Sequence, residues 1–319
     1  MTDKIVDVAV GLIVRADGLV LLGDRPTDKP WPGWWELLGG KIEPGETVMQ
    51  ALARELDEEL GIRVTRATPW VTYVHVYPHT TVRLAFCRVT GWEGEPRGQE
   101  GQQLRWMAPC EALDMGHLLP AALPPLRWMQ LPDRYAITSI GGPQALPAFM
   151  HKLDAALAGG LKLVQLREPA WAGGPDADSL HGAMHRILAR CRAAGARLLV
   201  NSAHPAGWWA EADGVHLRTA DAAAGQRPDL PGSALLGVSA HNATELARAR
   251  ELQADFAVLG PVLETASHPG QPGMGWERFA ALNREAGLPV LAIGGQSPAT
   301  LAQAREHGAH GVAGIRGLL

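Results

Sequence analysis

The sequence predicts an α/β protein of two domains, residues 1–130 and 131–319, the second closing as a (β/α)8 barrel without a full last helix. Three observations carry this. The 319 residues exceed one ordinary domain, which holds roughly 100–200 residues. The first half mixes strand-like runs with one strong helix. The second half repeats short apolar runs between Ala-rich helical stretches, the rhythm of a parallel sheet buried on both faces. With 46% hydrophobic and 19% charged residues the composition is that of a globular chain, not of a disordered one.

In the first half, Asp7–Val14 and Leu19–Gly23 read as strands flanking a turn at Ala16-Asp17-Gly18. Thr47–Leu60 reads as a helix stopped by Gly61, because glycine accepts the conformation that closes a last turn. Val71–Tyr77 and Thr81–Thr90 are β-branched runs around Pro78-His79, hence a hairpin. Leu118–Pro132 holds four prolines among apolar residues and ends this half. Eight apolar runs follow: Tyr135–Ser139, Leu161–Arg167, Arg197–Asn201, Gly214–Leu217, Leu235–Ser239, Phe256–Val262, Pro289–Ile293 and Gly311–Ile315. Eight strand-helix units close naturally into a barrel. The chain stops at Leu319, straight after the eighth run, so the last helix is expected to be missing.

The net charge of −4 gives a nucleic-acid polymer no help. A small anionic substrate held by a few local groups is untouched by that argument. Three cysteines, Cys87, Cys110 and Cys191, are few, odd in number and without metal spacing, which suits a reducing cytoplasm. The opening MTDKIVDVAVGLIV lacks the apolar core and cleavage site of a signal peptide. No uncharged apolar stretch reaches the ~18 residues of a membrane span. A soluble cytoplasmic protein is expected, with no membrane or nucleic-acid polymer as partner; a homo-oligomer stays open.

Residues 40–62 read GKIEPGETVMQALARELDEELGI. On a helix, Glu55, Glu58 and Glu59 stand at i, i+3 and i+4 and share one face. Three crowded carboxylates repel one another when empty and become favourable around hard divalent cations, and oxygen-only ligands suit Mg²⁺ or Mn²⁺. Arg54, one turn before Glu58, can orient a carboxylate. Gly39-Gly40 lets the backbone approach, with Gly39 offering a carbonyl. A solvated acidic face would account for a bare E-x-x-E-E. Here the whole pattern G-x5-E-x7-R-E-U-x-E-E-x-G-U, with U apolar, is met by Gly40, Glu46, Arg54, Glu55, Leu56, Glu58, Glu59, Gly61 and Ile62.

This stretch resembles the Nudix box, the signature of hydrolases that cleave nucleoside diphosphates linked to another group. With KIVDVAVGLIV, WELLGGK and GWEGEPRGQEGQQLRWM, the likeness spans residues 4–130 and points to the MutT branch, whose members hydrolyse 8-oxo-dGTP to the monophosphate and pyrophosphate. The resemblance implies an α/β/α sandwich and metal ligation by Gly39, Glu55, Glu58 and Glu59. It implies a further carboxylate near the metals, Glu100, and a substrate contact by Arg25 on the second strand. Cations would neutralise the triphosphate and acidify a water, with Glu55 as base and Glu100 as the alternative. Leu38 stands where the family has Pro before Gly-Gly-Lys, and Leu37 where an aromatic residue is usual. Ala122 aligns with the Asn that reads the oxidised base, and loss of that amide weakens discrimination. Leu37 and Ala122 thus occupy base-contacting positions. Trp31, Trp34 and Trp35 suit either a stacking wall for a base or packing against the sheet.

Barrel enzymes carry their sites at the C-terminal strand ends. There the sequence places Gln165 and Arg167, Asn201-Ser202, His216 leading to Asp221, His241, Glu264-Thr265, Gly294-Gly295, and Gly314-Ile315-Arg316-Gly317. Glycine-rich backbone after strands seven and eight, with Arg316, suits a phosphate. The series VQLRE, DGVHL, GVSAH, LGPVLET, AIGG and GVAGI resembles thiamine phosphate synthase and its relative TenI, a thiazole tautomerase, over 134–319. The resemblance implies a phosphorylated thiazole or pyrimidine held by Gln165, Arg167, Asn201, Thr265, Gly294, Gly295 and Arg316, with His241 as acid/base. Pro169 replaces a pyrophosphate-binding Lys. Asn201-Ser202 replaces the Asn-Asp of a Mg²⁺ site and leaves Asp221 alone, and Thr265-Ala266-Ser267-His268 replaces a Thr-x-Thr-Lys loop. His181 and His185 stand at helical i, i+4 spacing, which suits zinc; with no third ligand nearby, they read as an exposed helix face.

The function expected is Mg²⁺-dependent hydrolysis of a nucleoside triphosphate, foremost 8-oxo-dGTP, in nucleotide-pool cleaning and DNA repair. The alternative is a thiamine-pathway protein, with a tautomerase or ligand-binding barrel and a first domain that hydrolyses a thiamine-related pyrophosphate.

Overall fold

The computed structural model describes residues 5–264, 270 and 272–319. The chain divides into two units, Met1–Leu131 and Pro132–Leu319.

The first unit runs β1 (Ile5–Ile13), β2 (Val20–Asp24), β3 (Trp35–Glu36), β4 (Leu38–Lys41), α1 (Val48–Leu60), β5 (Arg63–Tyr77), β6 (Thr80–Glu93), β7 (Leu104–Met107), α2 (Pro109–Leu113) and α3 (Leu123–Trp128). Its strands form two sheets, ordered β4-β1-β6-β5 and β3-β2-β7. Thr47 caps α1: its hydroxyl accepts from the Gln50 backbone N–H, while the Gln50 side chain accepts from that of Thr47. Gly61 ends the helix at φ 65°, where a side chain would be strained. The apolar side of α1, Ala51, Leu52, Leu56 and Leu60, packs against Ala9, Ile13, Leu21, Leu38, Cys87 and Val89. A Cβ on Gly11 of β1 would lie 3.1 Å from Leu56, so helix and strand pack closely. The antiparallel register of β1 and β4 pairs Val10 with Gly39 and Ala9 with Gly40, which sets the glycine pair beside α1.

Two segments differ from the sequence expectation. The strand expected from Val71 begins at Arg63. Register shifts against β6 at Val64/Arg66, Arg66/Ala67 and Pro69/Thr72 break the two-residue alternation that marks a strand. Leu118–Pro132 is more than a proline-rich end: it holds a 3-10 turn at Pro120–Ala122 and then α3. Proline is tolerated in a first turn, where its missing N–H has no helical partner, and Leu126 of α3 is fully buried.

The second unit alternates β8 (Arg134–Ile137), α4 (Leu146–Ala158), β9 (Leu163–Leu166), α5 (Asp178–Ala193), β10 (Arg197–Asn201), α6 (Gly207–Glu211), β11 (Gly214–Leu217), α7 (Thr219–Ala224), β12 (Leu235–Ala240), α8 (Ala243–Glu251), β13 (Phe256–Leu259), α9 (Gly275–Arg284), β14 (Val290–Ile293), α10 (Leu301–Glu306) and β15 (Gly311–Gly314). β8 to β15 close into a barrel in sequence order, each neighbour pair parallel. Each expected run holds one strand, and residues 315–319 carry no helix. Apolar side chains of α4 and α5 pack against β8, β9 and β10, and those of α8 and α9 against β11 to β15.

The barrel interior is a polar ladder. Gln165 donates to the Tyr135 hydroxyl at 2.9 Å and accepts from the Asn201 amide at 2.8 Å. His216 lies 2.9 Å from the Ser239 hydroxyl and 3.3 Å from that of Tyr135. Burial pushes the His216 imidazole down to about 3, so it is neutral at physiological pH. No helix among the described residues is long and apolar enough to cross a membrane.

Candidate active sites

In the first unit, α1 and β4 bring together the acidic residues that the sequence singled out. Glu55 and Glu59 are sheltered, with side chains 16% and 13% exposed, whereas Glu58 is 60% exposed. Arg54 ties the cluster. Its guanidinium donates to Glu55 at 2.9 Å, to Glu58 at 3.2 Å, to both oxygens of Glu46 at 2.9 and 3.0 Å, and to the Lys41 carbonyl at 3.0 Å. Hydrogen bonds from Arg54, then from the Glu43 backbone, hold the Glu46 carboxyl below the usual carboxylate range. Gly39 is required by the backbone around it, and Gly40 leaves room for the Glu55 carboxylate. A Cβ on Gly40 would lie 2.1 Å from a carboxylate oxygen of Glu55, and one on Gly39, whose φ is +142°, 2.2 Å from the Ala9 carbonyl. The Gly39 N–H donates to Glu59 at 3.1 Å.

Glu100 reaches this cluster through backbone contacts. The Arg97 and Gln99 N–H groups donate to the Leu60 and Glu59 carbonyls, and the Gln102 side chain donates to the Glu59 carbonyl at 3.0 Å. The last-turn carbonyls of a helix lack internal partners, and the 97–102 loop supplies them. Lys29 bridges to this loop, 2.5 Å from Glu100 and 3.8 Å from Glu59. Sequence reasoning missed Lys29, since it lies in a loop with no motif around it. Burial pushes the Glu59 carboxyl up to about 7; Lys29 and the Gly39 N–H oppose this, and Glu36 and Glu100 add to it. A sheltered carboxylate among like charges, with all donors oxygen, fits a hard divalent cation. Glu55, Glu58, Glu59 and the Gly39 backbone are the groups that could hold it.

Arg25 lies just past β2 instead of on it. It pairs with Glu36 at 2.5 Å and donates to the Pro30 carbonyl at 2.6 Å. Glu36 also escaped notice in the sequence: burial raises its carboxyl, and Arg25 lowers it. Leu37 and Ala122 are brought together, 6% and 5% exposed, in one apolar cluster with Trp70 and Leu126. The tryptophans separate. Trp31 and Trp34 meet edge to face at 4.7 Å with Trp31 42% exposed, while Trp35 lies in β3 under the Arg105 guanidinium.

The barrel holds a cavity of about 880 Å³ at the C-terminal strand ends. Gln165, Arg167, Asn201, His241, Gly294, Gly295 and Arg316 all line it; Thr265 lies outside the described residues. Gly294 and Gly295 take φ of 99° and 68°, and a Cβ on Gly294 would come within 2.7 Å of Pro261, so this turn demands glycine and opens its backbone toward the cavity. Arg218, unforeseen, lines the same space and donates to Asp221 at 2.7 Å. Asp221 also accepts from the Ser202 hydroxyl at 2.5 Å, and both contacts keep its carboxyl low, Arg218 most of all. Its charge is therefore engaged. His241 is 56% exposed and sits 3.0 Å from Glu245 and 3.4 Å from the Thr219 hydroxyl.

One expectation is corrected. His181 and His185 are not alone on an exposed helix face, because Glu211 of α6 places one carboxylate oxygen 2.9 and 2.7 Å from their Nε2 atoms. Sequence spacing could not show this, since the barrel fold brings α6 back against α5.

Comparison with known proteins matches each unit to a family. The NUDIX domain family matches residues 6–129, and the thiamine monophosphate synthase family matches residues 135–318. The chain is 39% identical over 121 residues to an 8-oxo-dGTP diphosphatase of Haemophilus influenzae, covering 38% of this chain and 88% of that protein. It is 38% identical to a CTP pyrophosphohydrolase of Escherichia coli with the same coverage. A thiamine-phosphate synthase of Geobacillus kaustophilus is 36% identical over 193 residues, covering 58% of this chain and 85% of its own length. The chain therefore belongs to the Nudix family in its first unit and to the thiamine monophosphate synthase family in its second.

Proposed function

We propose that the first unit hydrolyses a nucleoside triphosphate, foremost 8-oxo-dGTP, to the monophosphate and pyrophosphate, with Mg²⁺ or Mn²⁺ held by Glu55, Glu58, Glu59 and the Gly39 carbonyl. The observation that carries this is the sheltering of Glu55 and Glu59, the first fixed by Arg54 and admitted by Gly40, the second held by the Gly39 N–H. The cation, when bound, neutralises the phosphate chain and acidifies a water. Glu55, held at one oxygen by Arg54, takes the proton of the attacking water, with Glu100 as the alternative base. A bond forms from water oxygen to the β-phosphorus and the bond from that phosphorus to the α-bridging oxygen breaks, so the monophosphate leaves. Arg25, turned by Glu36, contacts the substrate. Leu37 and Ala122 are nearly buried and offer no amide to read the base, which predicts modest discrimination among bases. The relative named for CTP is consistent with that.

The barrel cavity supports a second reading, the binding of a phosphorylated thiazole or pyrimidine. Arg167, Arg218, Arg316 and the Gly294-Gly295 backbone converge on one space, the arrangement that receives an anion. Hydrolysis of 8-oxo-dGTP, dGTP, CTP and thiamine diphosphate by the intact chain with Mg²⁺ tests the proposal. The highest kcat/KM is expected on 8-oxo-dGTP; fastest turnover of thiamine diphosphate would instead place both units in thiamine chemistry.

A further inference from the structure

We propose that His181, His185 and Glu211 form a binding site for a zinc-class divalent cation on the outside of the barrel unit. The two histidines stand at i and i+4 of α5 and share one face. Glu211 closes α6. Both Nε2 atoms converge on one Glu211 oxygen, and the three ligand atoms lie within 4.8 Å of one another. Packing sets the geometry in part: the His181 ring lies flat on Trp208 of α6, 4.6 Å away and 4° from parallel, and Trp208 is 7% exposed. His185 is 52% exposed, so an ion and a fourth ligand from solvent have access.

The donor set names the class of ion. Two imidazole nitrogens and one carboxylate oxygen suit Zn²⁺ and its first-row neighbours, whereas Mg²⁺ asks for oxygen ligands. Zinc–ligand bonds of about 2.0–2.2 Å put neighbouring ligand atoms roughly 3.3 Å apart, so the separations of 2.7 and 2.9 Å need to open by only a few tenths of an ångström. Arg192 donates to the Glu211 carbonyl but is paired with Asp213 at 2.9 Å, which offsets its repulsion of a cation. None of the three ligands lines the barrel cavity, so the site is separate from the phosphate-binding reading. A bound ion would clamp α5 to α6.

The test uses the full chain. Equilibrium dialysis against Zn²⁺, with millimolar Mg²⁺ present to fill the oxygen-only site, should show one zinc equivalent per chain. That equivalent should weaken at least tenfold in His185→Ala and in Glu211→Gln. In the Cu²⁺-loaded chain, electron paramagnetic resonance should show coupling to two imidazole nitrogens, reduced to one in His185→Ala. An oxygen-only copper spectrum in the unmodified chain, no zinc bound, or zinc binding unchanged in both variants would overturn the proposal.

Discussion

In the first unit, carboxylates are sheltered together and left short of positive charge. In the barrel interior, Tyr135, Gln165, Asn201, His216 and Ser239 hydrogen-bond to one another, and arginines face the cavity. Glu59 is pushed up to about 7 by burial beside Glu36 and Glu100. In the barrel, Gln165 is spent on Tyr135 and Asn201, and Asp221 on Arg218 and Ser202. Arg167, Arg316 and the glycine turn remain around the open space. The first arrangement suits the cation proposed for it, and the second suits the anion proposed for the barrel. On the proposed reading, the same kinds of side chain serve opposite ligands according to which charges the fold leaves unsatisfied.

The comparison can be broken one unit at a time. A large effect is expected from Gly40→Ala. Its methyl group would occupy the place of the Glu55 carboxylate, and displacing a reacting group by about 1 Å can cost ~10²-fold. Steady-state kinetics on a nucleoside triphosphate should show that loss in kcat, with barrel ligand binding unchanged. Arg316→Ala should do the reverse. Loss of a hydrogen bond to a charged group, about 1.5–3 kcal/mol, weakens binding of a phosphorylated thiazole by roughly 10–100-fold, measured by calorimetry, and leaves triphosphate turnover alone.

The smallest effect concerns pH. His216 titrates near 3 in the folded barrel, against its ordinary 6.5. Between those values the unfolded chain binds a proton that the folded chain does not. Its contribution is therefore fully present above 6.5 and is lost as pH falls toward 3, by at most ~1.4 kcal/mol per pH unit. Urea unfolding of the barrel transition at pH 7 and pH 5 should show this slope, and His216→Gln should flatten it.

Local patterns were legible in the sequence; contacts between distant segments were not. The eight barrel strands could be read because buried parallel strands are continuous apolar runs bounded by helices. Helix α1 could be read because its cap, its stop and its apolar side are all local, at Thr47, Gly61 and Leu52-Leu56-Leu60. The start of β5 could not, because its register shifts erase alternation. Within the first site, Glu55, Glu58 and Glu59 follow from helical spacing, whereas Lys29 and Glu36 reach the cluster only through tertiary contact. Glu211 meets His181 and His185 across 30 and 26 residues of chain, beyond any spacing rule.

The central claim is that the acidic face of α1 performs phosphoanhydride hydrolysis, and Glu58→Gln tests it most directly. That side chain is exposed, so the change should leave the fold intact. Pyrophosphate release from 8-oxo-dGTP with saturating Mg²⁺ should fall by roughly 10²–10⁴-fold, the usual range for losing a carboxylate that takes part in catalysis. Turnover equal to that of the unmodified chain would contradict the account.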